Sequence, residues 1–130
     1  MAGLSAWPGI GPYNATKYAV VGLSETLAIE LADSAVGVSV LCPGVVNTNI
    51  FTSQRNRPPA LKNDRPNLAA RSVNGTIRIS EGLEPSVVAD QVLDAILVDR
   101  FWIITHPELL EAVEARHQRL LDHAREGGAS

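Results

Sequence analysis

The stretch that decides the fold is VGVSVLCPGVVNT, residues 36–48. Its first part, Val36 to Cys42, is a short β-branched run that stops at Pro43 and Gly44. This is the form expected of a strand buried on both faces of a parallel sheet. In open α/β sheets, ligands bind outside the carboxyl ends of the strands. The turn after Cys42 is therefore predicted to lie where a ligand or cofactor would bind.

An amphipathic helix is predicted before this strand, from Tyr13 to Ala32. Large apolar residues recur at helical spacing along it, and small residues form a second stripe beside them. The large stripe is Val20, Leu23, Leu27 and Leu31, and the small stripe is Ala15, Ala19, Gly22 and Thr26. Small residues would let the helix axis lie close to a sheet, and the large stripe would then face another helix or a second subunit.

Residues 49–82 have no regular period and hold most of the basic residues. A loop of this length inside a compact domain is usually a lid, a binding loop or disorder. Two interpretations of its arginines and lysines remain open, a solvated lid and a site for a phosphate or an acidic substrate.

A helix, a strand and a final helix are predicted after this loop. The helix starts at Pro85 and closes at Asp99-Arg100, and its apolar face is Val88, Val92 and Ile96. The strand covers Phe101 to Thr105. The last helix opens at Pro107 and ends at Gly127-Gly128, and its apolar residues are Leu110, Val113, Leu120 and Ala124.

This order of elements predicts an α/β fold whose strands are parallel and joined by right-handed crossovers. Two strands alone would leave a long hydrophobic edge without a partner. We therefore expect residues 1–130 to be a fragment, the carboxyl-terminal part of a single domain.

Composition narrows the class of protein. The net charge of -3 argues against a general nucleic-acid binder, although residues 53–80 hold six Arg or Lys against one Asp. The single cysteine, Cys42, cannot form an internal disulfide, and no Cys/His spacing suits a metal. No stretch reaches the roughly 18 apolar residues of a membrane helix. We expect a cytoplasmic protein that binds no membrane and no metal.

Tyr13 and Lys17 are the first candidates for chemistry. At helical spacing they lie on one face about 5 to 6 Å apart, so the ammonium can favour the phenolate. A phenolate suits proton transfer to or from a carbonyl or hydroxyl oxygen, with hydride transfer as the partner step. The spacing alone occurs by chance too often to separate this interpretation from two ordinary surface residues.

The turn after Cys42 is the second candidate. Pro43 stiffens it and Gly44 allows close backbone approach, while Val46 offers a backbone amide and carbonyl and Thr48 offers a hydroxyl. These groups can hold a planar carboxamide. An ordinary strand-to-loop turn is the alternative, but both motifs in this order make coincidence improbable.

The chain from Met1 to about Ala124 resembles the carboxyl-terminal half of the short-chain dehydrogenase/reductase family, through YNATK at residues 13–17 and PGVVNT at residues 43–48. The resemblance implies an incomplete Rossmann-type fold, a doubly wound parallel sheet of which only the last strands and helices are present. Residues 49–82 would be the variable substrate loop. NAD or NADP would be the cofactor, a small alcohol or carbonyl the substrate, and helix 13–32 the contact of a homo-oligomer.

The resemblance also implies roles for single residues. Tyr13 would be the catalytic acid/base, and Lys17 would favour its phenolate and hydrogen-bond the nicotinamide ribose. The turn residues that would flank the nicotinamide are Pro43, Gly44, Val46 and Thr48. Cys42 is predicted as a buried residue at the end of the strand. His106 is predicted to begin a helix, with substrate contact as the lesser alternative.

Two departures from the family favour a second hypothesis. The position of the family's catalytic serine falls immediately ahead of Met1, and Ser5 lies too near Tyr13 to replace it. The glycine-rich cofactor loop is also absent, and Gly9-Ile10-Gly11 lacks the preceding strand and the third glycine. The alternative is an inactive truncated chain that serves at most as an oligomerisation or interaction module. Substrate identity, cofactor choice and reaction direction remain open.

Overall fold

The structure is a computed structural model that describes residues 1–62 and 81–127. Its helices and strands, in chain order, are α1 (Gly11–Glu30), β1 (Val40–Cys42), α2 (Pro85–Leu97), β2 (Trp102–Ile104) and α3 (Leu110–Gly127). Short 3₁₀ segments cover Asn49–Asn56, Pro59–Leu61 and Pro107–Leu109. The predicted order of helices and strands is confirmed. None of the described helices is both long and apolar enough to cross a membrane.

Strands β1 and β2 pair in parallel, which confirms the predicted α/β class. Val40 lies opposite Trp102, and Cys42 lies opposite Ile104. The carboxyl ends of parallel strands meet at the same edge of a sheet. The turn that follows Cys42 therefore lies beside the residues that follow Ile104.

The predicted extent and burial of the first strand are wrong. The strand covers only Val40–Cys42, and Val36 is exposed. Its pairing does not extend back to Val36 because the partner strand, β2, begins only at Trp102. Before that residue, the Arg100 carbonyl accepts a hydrogen bond from the Ser39 hydroxyl and not from a backbone N–H of β1. Leu41 is exposed between buried neighbours, so the strand is buried on one face, not on both.

Helix α1 has few buried residues. Pro12 lies in its first turn. The N–H groups of the first turn have no acceptor within a helix, so the N–H that proline lacks costs no hydrogen bond. Asn14 and Val21 are its buried residues. The predicted packing of the small stripe on the sheet is wrong, because this stripe is exposed along its length; Leu23 of the large stripe is 62% exposed. The described sheet is only two strands wide, and the core contacts α1 on the Val21 side.

Helix α2 begins at Pro85 as predicted, but its buried face differs. Val88 is buried and Ala95 is fully buried, whereas Ile96 is exposed. Ala95 lies seven positions after Val88 and points to within about 20° of the same direction, whereas Ile96 lies eight positions after Val88 and points about 80° away. The buried stripe is therefore narrow and runs through Ala95.

Asp99 and Arg100 end α2 as predicted. The Arg100 N–H donates to the Ala95 carbonyl at 2.8 Å, and the Asp99 N–H donates to the Ile96 carbonyl at 3.2 Å. Asp99 has a φ of 50°. This is a Schellman motif with a non-glycine residue in the left-handed position.

The core lies between the first residues of the chain, the sheet and the start of α3. Its buried members are Met1, Val21, Val40 and Cys42, and the half-buried residues packed on them are Leu4, Phe101, Ile104, Leu109, Leu110 and Val113. The last helix was predicted from Pro107, and its first turn is 3₁₀. Leu120 of its predicted apolar side is exposed.

Candidate active site

Tyr13 and Lys17 occupy the first two turns of α1, and the structure brings them together. The Lys17 Nζ lies 5.3 Å from the centroid of the Tyr13 ring, within the range of a cation–π contact. Both side chains are exposed. A phenol and an ammonium are thus presented side by side on an accessible face of α1.

The start of α1 is fixed by the chain before it. The buried Asn14 donates from Nδ2 to the Trp7 carbonyl at 2.8 Å. Gly3 packs so closely that a Cβ there would lie 2.7 Å from the Lys17 carbonyl oxygen and 2.8 Å from the Val21 Cγ2. The backbone that carries Lys17 is therefore held by the first residues of the chain.

The turn after β1 is attached to the residues after β2. The Gly44 N–H donates to the Thr105 Oγ1 at 3.1 Å and to the His106 Nδ1 at 3.2 Å. A Cβ on Gly44 would lie 2.6 Å from that Nδ1 and 2.9 Å from the His106 Cβ. The close approach predicted for Gly44 is thus made, in this structure, to the His106 ring.

Val46 forms an isolated parallel bridge with Leu83. The Leu83 N–H donates to the Val45 carbonyl at 3.0 Å, and the Asn47 N–H donates to the Leu83 carbonyl at 2.8 Å. Because successive residues of extended backbone point their polar groups to opposite sides, the N–H and C=O of Val46 face away from Leu83. No other residue of the described ranges bonds to them.

Thr48 completes the turn and leads into the 3₁₀ segment Asn49–Asn56. Its side chain is exposed, and its hydroxyl has no hydrogen-bond partner in the part of the chain that the structure describes. Together with Val46, it offers one N–H, one C=O and one hydroxyl. This donor and acceptor set fits the amide group of a nicotinamide ring.

Burial dominates the electrostatics beside this turn. It raises the pKa of the Cys42 thiol, and the positive charge of the Met1 amino group opposes that shift. Burial also lowers the pKa of the Met1 amino group; Cys42 opposes that shift and Lys17 adds to it. Cys42 is therefore a neutral, buried residue at the end of β1, as predicted.

The two candidate motifs are joined indirectly. Within residues 1–62 and 81–127, no hydrogen bond links Tyr13 or Lys17 to the turn 43–48. Residues 1–4 lie between them, since Gly3 packs on the Lys17 turn and the Met1 amino group donates to the Pro43 carbonyl. The beginning of the chain thus sets how α1 and β1 are related.

The predicted substrate loop is described only over residues 49–62 and 81–82; residues 63–80 lie outside the described residues. Arg55 donates to the Asn49 carbonyl at 2.9 Å, and Arg57 donates to the Leu61 carbonyl at 3.3 Å. These two guanidinium groups hold neighbouring backbone. Phosphate or acid binding by this loop stays a prediction.

Thr105 and His106 were not predicted as partners of Gly44. His106 was predicted to begin a helix, and it does precede the 3₁₀ segment Pro107–Leu109. The contact with Gly44 spans 62 positions of sequence. Parallel pairing of the two predicted strands was the available signal, because it places their following residues side by side.

Comparisons with known proteins agree on one family. A family model described as short chain dehydrogenase matches residues 1–59. A CLA biosynthesis dehydrogenase/reductase of Lactiplantibacillus plantarum is 32% identical over 129 residues, which cover 93% of this chain and 45% of that protein. Dehydrogenase/reductase SDR family member 4 of Homo sapiens is 47% identical over 49 residues, 38% of this chain and 18% of that protein.

A solved structure extends the likeness to nearly the whole chain. It is the crystal structure of a short chain dehydrogenase/reductase from Burkholderia phymatum in complex with NAD. It superposes with a TM-score of 0.73 at 40% sequence identity, over 94% of this chain and 46% of that one. The chain therefore spans less than half the length of each of these relatives.

Proposed function

Because the chain belongs to the short-chain dehydrogenase/reductase family, we propose that it supplies the catalytic and substrate-binding part of an oxidoreductase that interconverts an alcohol and a carbonyl. Its parallel α/β fold is then the last part of a Rossmann-type sheet. The observation that carries the proposal is the Lys17 ammonium over the Tyr13 ring on an exposed face of α1.

Tyr13 moves the proton in this proposal. In the oxidation direction, its phenolate takes the hydroxyl proton of the alcohol as a hydride leaves the carbon; in reduction, the phenol returns the proton to the carbonyl oxygen. The Lys17 ammonium lies 5.3 Å from the centroid of the Tyr13 ring, and its positive charge would attract the negative charge of the phenolate.

The turn 43–48 would hold the cofactor. The family uses NAD or NADP, which accepts or delivers the hydride when bound. The N–H and C=O of Val46 and the hydroxyl of Thr48 would bind its carboxamide, and Lys17 would bind its ribose. Pro43 and Gly44 would fix the start of the turn.

The large-residue stripe of α1 suggests a second role. Val20, Leu23 and Leu27 are exposed apolar side chains on one side of a helix. A contiguous apolar face of this kind marks a contact with another protein surface. We propose that it is the contact of a homo-oligomer, and an inactive chain that keeps only this contact is the alternative function. The cytoplasmic location stays a prediction.

The proposal is tested on the protein purified as its own cell makes it. NAD and NADP binding is measured by titration, and turnover is measured with a panel of small alcohols and carbonyls. We expect binding of one cofactor and turnover that Lys17→Met lowers at neutral pH. A folded protein that binds neither cofactor would contradict the enzymatic role and favour the interaction module.

A further inference from the structure

The Gly44 amide is bound by two side chains from the end of β2. Its N–H is shared between the Thr105 Oγ1 at 3.1 Å and the His106 Nδ1 at 3.2 Å. The Thr105 Oγ1 also lies 2.6 Å from the His106 Nδ1. The three groups form a closed triangle of polar atoms.

This triangle continues the sheet after the backbone ladder has ended. The last paired residues of the strands are Cys42 and Ile104. Beyond them, side-chain atoms of Thr105 and His106 accept the next amide of the β1 side. Side chains therefore hold the first amide of the turn where the ladder has stopped, and the Leu83 backbone holds Val45 and Asn47 further along.

Only one protonation pattern satisfies all three contacts. The Gly44 N–H can bond to the His106 Nδ1 only if that nitrogen carries no proton. The Thr105 hydroxyl then donates to the same nitrogen, whose single lone pair it shares with the Gly44 N–H, and the Thr105 oxygen accepts that N–H as well. Thr105 is buried and His106 is half-buried, so loss of either acceptor is poorly replaced by water.

The fit around Gly44 is also tight. A Cβ on this residue would collide with the His106 ring. The backbone of His106 is held by its neighbours: Pro107 follows it, and the Leu109 N–H donates to the His106 carbonyl at 3.1 Å. The His106 ring thus packs directly against the backbone of the turn and contacts the Thr105 hydroxyl.

We propose that Thr105 and His106 are positioning residues, which hold the Gly44 amide and so aim the Val46 backbone and the Thr48 hydroxyl at the nicotinamide carboxamide. This inference rests on the proposed function of the turn 43–48. Neither residue touches the reacting atoms. Their effect is on cofactor binding, since the turn carries the groups that bind the carboxamide.

Matched variants of the intact protein test this role. Thr105→Val keeps the shape and removes the hydroxyl, while Thr105→Ser keeps the hydroxyl. His106→Leu removes the acceptor, while His106→Asn places an amide oxygen near the position of Nδ1. We expect Thr105→Val and His106→Leu to raise KM for the cofactor about five- to tenfold, the loss of one buried hydrogen bond. The Ser and Asn variants are expected to restore most of the loss.

The readout separates positioning from folding. KM for the alcohol should change less than about twofold, because no described residue of the loop 49–82 bonds to the Gly44 amide, whose partners are Thr105 and His106. Hydrogen exchange of the Gly44 amide should be faster in His106→Leu and slow again in His106→Asn. Because His106 is only half-buried, its variants decide the matter even if Thr105→Val does not fold.

Each outcome has one meaning. Raised cofactor KM with rescue by the conservative variants supports the inference. An active wild-type enzyme whose cofactor KM is the same in His106→Leu would overturn the inference and leave the proposed function standing. A wild-type protein that binds no nicotinamide cofactor would overturn the proposed function and this inference with it.

Discussion

Gly44 shows how one missing side chain shapes the candidate site. The His106 ring fills the space that a Cβ at Gly44 would need. We predict that Gly44→Ala lowers the free energy of unfolding by about 1 to 3 kcal/mol, the usual range for overpacking. His106→Ala removes the ring that a Cβ at Gly44 would meet, so the double variant should lose less free energy of unfolding than the sum of the single variants. Chemical denaturation of the four proteins measures this, and strict additivity would count against the contact.

The buried Cys42 thiol leads to a prediction about how the free energy of unfolding depends on pH. Burial raises the pKa of its thiol in the folded chain, so the folded state keeps a proton that the unfolded state gives up. The free energy of unfolding should then fall as pH rises above the unfolded pKa of about 8.5. Cys42→Val keeps the apolar contacts and removes the thiol. Denaturation between about pH 8 and 10 should show a shallower fall for Cys42→Val, and equal slopes in both proteins would refute the shift.

Helix α2 carries a strained end that can be relieved. Asp99 stands in the left-handed position of the Schellman motif, where a Cβ costs about 1 to 2 kcal/mol. We predict that Asp99→Gly raises the free energy of unfolding by about 1 kcal/mol. Asp94→Gly is the matched control inside α2 and should lower it by about 1 kcal/mol. A loss of stability in both variants would show that the Asp99 side chain contributes more than its backbone strain.

The elements differ in how well sequence patterns predicted them. Pro85 and the Asp99-Arg100 stop are local signals, and both bounds of α2 agree with them. The extent of β1 depends on where its partner begins, which the run from Val36 cannot reveal. The predicted burial of the strand on both faces is wrong at Leu41, because burial on two faces needs elements on both sides of the sheet.

The site shows the same division. Tyr13 and Lys17 are four positions apart on one helix, so their contact could be predicted from helical spacing alone. The contact of Gly44 with Thr105 and His106 depends on strand pairing across about sixty positions. No sequence pattern within either segment predicts this contact. The family resemblance pointed to the turn 43–48 but not to what holds the turn.

At the scale of the whole molecule, the exposed face of α1 predicts an assembly. Leu23 is 62% exposed at the middle of this face. We predict that Leu23→Glu lowers the molar mass of the native assembly, because a charge cannot be buried there without a partner. Leu120→Glu places the same change on an exposed leucine of α3 and should leave the mass unchanged. Light scattering measures both, and an unchanged mass in Leu23→Glu would exclude α1 as the contact.

If Tyr13 transfers the proton in the proposed reaction, removal of its hydroxyl should slow turnover without loss of cofactor binding. Tyr18, the other tyrosine of α1, lies under the Arg116 guanidinium at 5.4 Å and provides the control. In the protein as its cell makes it, Tyr13→Phe should lower nicotinamide-dependent turnover by about 10²- to 10⁴-fold while cofactor affinity stays nearly constant. Tyr18→Phe should leave turnover near that of the wild type. Near-normal turnover in Tyr13→Phe would exclude Tyr13 as the residue that transfers the proton.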